Sequence, residues 1–187
     1  MKMLIRVACL LMVLGVSAKV AGAQAQPPAS GPGSFISVGG GVSAYQADYG
    51  KRVLGGFVAY VDMHPEWRYG IEGEARFLRY HTDQDVTEQT YLVGPKVYAL
   101  RGNLRPYGKF LIGAGKIVLP FNYAQGTFLT YAPGAGIDYL VTDRISLRVI
   151  DFEYQQWPQF TFGALHPYGL SAGVNFRLNR VERYPRH

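Results

Sequence analysis

Residues 69–80 read Tyr-Gly-Ile-Glu-Gly-Glu-Ala-Arg-Phe-Leu-Arg-Tyr, and apolar and charged positions alternate along them. Tyr69, Ile71, Ala75 and Phe77 share one parity, while Glu72, Glu74 and Arg76 share the other. A period of two gives a strand one apolar and one charged face. Ile71, Ala75 and Leu78 also sit at helical spacing, but Gly70 and Gly73 oppose a helix, where an interior glycine costs about 1 kcal/mol. The same dyad returns in segment after segment. It predicts about eight strands, at 34–45, 52–63, 69–80, 90–100, 105–118, 128–141, 145–155 and 167–178.

The connections differ in length by turns. Those at 64–68, 101–104 and 142–144 are short and hold turn residues such as Pro65, Gly102-Asn103 and Asp143. Those at 46–51, 81–89, 119–127 and 156–166 are generally longer. Short turns on one side and long loops on the other describe an all-β, up-and-down antiparallel barrel.

The last segment decides which face meets which medium. Tyr168, Leu170, Ala172, Val174, Phe176 and Leu178 share one parity; Gly169, Ser171, Gly173, Asn175 and Arg177 share the other. A soluble barrel would turn its apolar face inward and its polar face to water. Here Glu, Lys, Arg and Asp recur on the polar face of several strands. Lipid on the apolar side and an enclosed, polar lumen fit that pattern, and closure satisfies every backbone group. Aromatic residues near predicted strand ends (Trp67, Tyr69, Tyr91, Tyr107, Tyr123, Tyr139, Trp157 and Tyr168) suit interfacial girdles. In the seventh segment Ile145, Leu147 and Val149 take one parity, and Ile150, Phe152 and Tyr154 the other. A β-bulge near Val149–Ile150 would let both sets face lipid and keep Arg148, Asp151 and Glu153 inside.

Composition narrows the class further. The 187 residues include 23 Gly, 14 Tyr and 10 Phe, with 17% charged, which suits strands and turns better than a helical bundle. Residues 1–23 read as a secretory signal, with Lys2 and Arg6 before an apolar run and Ala21-Gly22-Ala23 as a cleavage site. A flexible leader at 24–33, a barrel at 34–178 and a basic periplasmic tail at 179–187 complete the expected organisation. Losing Lys2, Arg6 and Lys19 with the signal lowers the formal charge from +6 to +3, with no basic stripe and so no nucleic-acid footprint. Cys9 is the single cysteine and lies in that signal, so the exported chain has no disulfide framework.

The phrases Gly70-Ile-Glu-Gly-Glu-Ala-Arg76, Gly94-Pro-Lys96 and Gly134-Ala-Gly-Ile-Asp-Tyr139, on this alternation, resemble the OmpA-like family of small outer-membrane β-barrels. The resemblance implies the single-barrel form, without a peptidoglycan-binding domain, in the outer membrane of a Gram-negative-type envelope. It also implies contact with outer-membrane lipid and with the barrel-assembly machinery. The family's last strand tends to close on a terminal aromatic, whereas here Phe176 is followed by Leu178 and the basic tail.

Hairpins centred on their connections set Glu74 opposite Lys96, Lys96 opposite Lys109, and Asp138 opposite Arg148. Like charges directly opposite are unfavourable, so Lys96 and Lys109 need carboxylates beside them. A lumenal ladder Glu74–Lys96–Lys109–Asp138–Arg148, extended by Glu72, Arg76, Asp151 and Glu153, is the expected plug. An eight-stranded barrel has an interior only just wide enough for side chains. The expected role is structural or interactive, with the long loops as contact sites for an extracellular ligand. A narrow channel for small solutes is the alternative, followed by a membrane enzyme and a soluble lipid-binding barrel. His64, His81, His166 and His187 do not form a metal-ligand spacing. His81, Asp83, Asp85 and His166 are the sole candidates for rim chemistry, and no catalytic residue, cofactor or metal is assigned.

Overall fold

The computed structural model describes residues 34–48, 53–66, 68–79, 87–99, 101–118, 125–158 and 163–179. The signal, the leader and all of the basic tail except Asn179 lie outside the described residues. Eight strands follow in order: β1 (Phe35–Gln46), β2 (Val53–His64), β3 (Tyr69–Arg79), β4 (Thr87–Tyr98), β5 (Leu104–Val118), β6 (Gln125–Leu140), β7 (Ile145–Tyr154) and β8 (Tyr168–Arg177). Each pairs antiparallel with its sequence neighbours, and β8 returns to β1, closing the barrel. Closure leaves no sheet edge unpaired. The short connections at 65–68, 99–103 and 141–144 share one end. The longer ones, at 47–52, 80–86, 119–124 and 155–167, share the other, which is the extracellular end in barrels of this kind.

Alternation sets the faces. In β8 Tyr168, Leu170, Val174 and Phe176 are exposed, while Ser171, Asn175 and Arg177 are buried. In β3 Ile71 and Phe77 face outward at 55% and 44% exposure, and Glu72, Glu74 and Arg76 face in. The apolar flank therefore meets hydrocarbon. The β7 bulge is present: Asp138 pairs with Arg148 and Ile137 with Ile150, leaving Val149 as the extra residue. Val149 and Ile150 both point outward, and Arg148 and Asp151 both point inward.

Two backbone positions depend on glycine. Gly102 adopts φ 64° in the hairpin whose ends, Arg101 and Leu104, bond to each other. That left-handed region carries no steric penalty for glycine. Gly39 faces the lumen directly opposite Tyr60, and a Cβ there would overlap the Tyr60 ring.

Two aromatic assignments are corrected. Tyr107 and Trp157 lie inside the barrel, at 5% and 1% exposure, and not in an interfacial girdle. Tyr107 shares the parity of Lys109, and Trp157 that of Glu153 and Gln155, so the strand's dyad overrides nearness to a strand end. Tyr69, Tyr91, Tyr139 and Tyr168 are exposed on the outer wall. Trp67 and Tyr123 lie outside the described residues.

Candidate functional site

The inward parity of five neighbouring strands builds one ionic layer. β3 supplies Glu72, Glu74 and Arg76, β4 Lys96, β5 Lys109, β6 Asp138, and β7 Arg148, Asp151 and Glu153. All nine are buried, at 5% exposure or less. Asp62, from β2, completes the set. The sequence reading missed it, although it shares the inward parity of Val58 and Tyr60 and that parity was the available signal.

Glu72 is the hub. Its Oε2 accepts from Lys96 Nζ at 2.7 Å and from the Arg148 guanidinium at 2.6 Å, and its Oε1 accepts from Lys109 Nζ at 3.0 Å. Lys109 Nζ also reaches Asp151 at 2.8 Å, Glu74 at 2.9 Å and Glu153 at 3.1 Å. Arg76 joins Glu74 and Glu153, each at 2.6 Å. Asp62 receives Lys96 at 3.2 Å and Arg148 at 3.5 Å. Asp138 lies 3.5 Å from Arg148 and 3.7 Å from Lys96. Buried charges are tolerable only when paired and hydrogen-bonded, and here each cation meets at least two carboxylates.

Four cations and six carboxylates leave an excess of acid, which neutral donors help to offset. The Tyr98 hydroxyl donates to Asp138 at 2.5 Å, Tyr45 to Glu153 at 3.2 Å, and Gln155 Nε2 to Glu153 at 2.9 Å. Aromatic faces flank the cations. Arg148 lies 3.7 Å from the Tyr60 ring centroid, Lys96 4.1 Å from that of Tyr107, and Arg76 4.3 Å from that of Tyr45. These contacts add cation–π attraction.

The register places Lys96 opposite Lys109 and Asp138 opposite Arg148. Glu74, however, stands opposite Leu92, and Lys96 opposite Gly70. β4 begins at Thr87, inside the stretch expected to be loop, so the β3–β4 hairpin is not centred on 81–89. Glu74 pairs instead with Arg76 and Lys109. The displacement is an even number of residues, so no side chain changes face.

Other layers cover the ions at both ends. On the periplasmic side Phe35 stacks on His64 at 4.5 Å, and His64 and Tyr107 pack against Tyr98. On the extracellular side Tyr45, Ala47, Leu54 and Leu78 cluster, and Trp157 donates to Gln155 at 3.0 Å. Apolar side chains such as Leu54 and Leu78 thus enter the lumen too, which the alternation alone assigns to polar and charged residues. Glu74, Asp151 and Glu153 converge closely enough to suggest a metal site, but Lys109 Nζ already fills the point they surround. Of the rim candidates, His81, Asp83 and Asp85 lie outside the described residues. His166 stacks on Tyr154, whose hydroxyl lies 2.9 Å from its Nδ1.

Solved structures share this build. Neisserial surface protein A is 13% identical with a TM-score of 0.64, covering 75% of this chain and 96% of that one. OprG of Pseudomonas aeruginosa is 12% identical with a TM-score of 0.56, covering 79% and 96%. Ail, the attachment invasion locus protein of Yersinia pestis, is 18% identical with a TM-score of 0.52, covering 77% and 99%. At such identities the likeness is one of fold. No curated protein matches the sequence. The family model for the outer membrane protein beta-barrel domain matches residues 7–178. Matched over nearly its whole length and folded as a closed eight-stranded barrel with an apolar outer wall, the chain belongs to the outer-membrane β-barrel domain family.

Proposed function

We propose that the barrel is closed to solutes, its lumen plugged by the ion network, and that it serves the outer membrane as a structural or surface-interaction protein. The observation that carries this is the four-carboxylate shell of Lys109, tied through Glu72 to Lys96 and Arg148. A solute would have to part several buried ion pairs to pass, and each broken pair exposes an uncompensated charge. The role is non-enzymatic, and extracellular contacts fall to the loops at 47–52, 80–86, 119–124 and 155–167. Ail has been crystallised in complex with the heparin analogue sucrose octasulfate, so a barrel of this fold can take a ligand.

Planar-bilayer recording tests the plug. The wild-type barrel is expected to stay closed, and Lys96→Ala and Glu74→Gln to open measurable conductance. A steadily conducting wild type would favour the narrow channel, and silent variants would separate the ions from closure.

A further inference from the structure

The outer wall should carry no charge, and among the described strand residues it carries two: Arg79 and Lys116. Both are basic, both are exposed, and both lie at the extracellular end. They sit on β3 and β5, either side of β4. Phe77 is opposite Gln89, and Gln89 is opposite Lys116; Arg79 is opposite Thr87, one outward position higher. Strands are about 4.8 Å apart, so two long side chains on alternate strands can converge on one anionic group. Guanidinium and ammonium are the side chains that recognise phosphate.

Below Arg79, on the β2–β4 side of the pair, the wall is hollow. A recess of about 600 Å³ has Ala59, Gly73 and Ala75 as its floor and Val61, Tyr91 and Val93 at its sides. The register aligns Ala59, Ala75 and Tyr91 in one row and Val61, Gly73 and Val93 in the next. A Cβ on Gly73 would meet nothing within 4 Å. Phe77 and Tyr91 pack edge to face at 5.8 Å between the recess and the cations. Arg79, Phe77 and Ala75 are successive outward positions, and Lys116 lies in the row of Phe77, so at 3.3 Å per residue the two cations stand about 13 and 7 Å above the start of the hollow. A polar anchor over an apolar trough matches an amphiphile with an anionic head.

We propose that the outer wall of β2–β5 holds a phosphate-bearing lipid of the outer leaflet, with its phosphate between Arg79 and Lys116 and an acyl chain in the hollow over Gly73. The occupant is a lipid because the cations face the bilayer side of the sheet and the hollow continues their site into hydrocarbon. This inference rests on the barrel's orientation in the membrane and is independent of whether the lumen conducts.

Native mass spectrometry of the full refolded barrel in detergent tests it, with diphosphorylated lipid A and its dephosphorylated counterpart as probes. Wild type should retain one lipid A with at least a tenfold preference for the phosphorylated form. Arg79→Gln with Lys116→Gln should abolish the preference, and Gly73→Leu should weaken both lipids alike. Heat-modifiable migration confirms folding; if the double variant does not fold, Lys116→Gln alone carries the comparison. Equal retention of the two lipids by wild type, or an undiminished preference in the variant, would overturn the proposal. So would displacement of the lipid by equimolar inorganic phosphate, which would mark a site for free anions.

Discussion

Lys96 and Lys109 stand directly opposite each other on β4 and β5, and both ammonium groups are buried. Glu72 resolves the repulsion by accepting from one lysine on each carboxylate oxygen, at 2.7 and 3.0 Å. Like charges at adjacent-strand distance repel in a medium of low dielectric, so the pair depends on this bridge together with the other carboxylates that meet each lysine.

Glu72→Gln keeps the shape of the hub and removes its charge. It should lose about 3–5 kcal/mol of stability, the usual cost of leaving buried charges uncompensated. Glu88→Gln is the comparison. Glu88 is buried, but its Oε1 has no hydrogen-bond partner, so neutralising it should be harmless or stabilising. Urea titrations followed by heat-modifiable migration measure both. Equal midpoints for Glu72→Gln and wild type would remove Glu72 from its central position.

Lys109 occupies the point on which Glu74, Asp151 and Glu153 converge. Lys109→Ala removes the ammonium and leaves those carboxylates facing one another, a set of oxygen ligands suited to a hard divalent cation. The variant should unfold at lower temperature than wild type, and millimolar calcium or manganese should restore part of the loss. Wild type should not respond to either ion. A variant indifferent to both would show that the carboxylates relax apart.

Gly39→Val and Gly55→Ala test where the wall is tight. A side chain at Gly39 collides with Tyr60 and, through it, disturbs the Arg148 contact at 3.7 Å. The expected loss is about 1–3 kcal/mol, as for overpacking. Gly55 faces outward with nothing within 4 Å of an added Cβ. Alanine there should be neutral or gain about 0.4–1 kcal/mol by restricting the unfolded chain. Chemical denaturation of both variants in one detergent decides it, and equal losses would contradict the asymmetry.

The outer wall makes its own prediction. Val42 is 59% exposed well inside β1, and Gln46 ends that strand at the extracellular rim. Val42→Arg should cost about 2–4 kcal/mol and Gln46→Arg about 0–1, following the depth dependence of charge on a lipid face. Folding titrations into phospholipid vesicles measure the difference. Indifference to Val42→Arg would mean that this face meets water.

How far the sequence speaks can be followed residue by residue. The alternation of β3 and β8 assigns inside and outside correctly, because a strand's side-chain period is a local property of its backbone. The parity switch at Val149–Ile150 marks the bulge for the same reason. Asp62 carried the same signal and went unused. Nearness to a strand end misplaces Tyr107 and Trp157, whose parity puts them inside.

Alternation alone therefore determined the barrel wall: which residues meet lipid, which fill the lumen, and where the count slips. Only the closed structure decided who pairs with whom. Arg148 reaches Glu72 and Arg76 reaches Glu153 across the lumen, over sequence separations of 76 and 77 residues. Such contacts depend on closure of β8 onto β1 and on hairpin register, and neither is written in any one strand. Long charged side chains inside a narrow cylinder choose partners by its radius, and the radius belongs to all eight strands together.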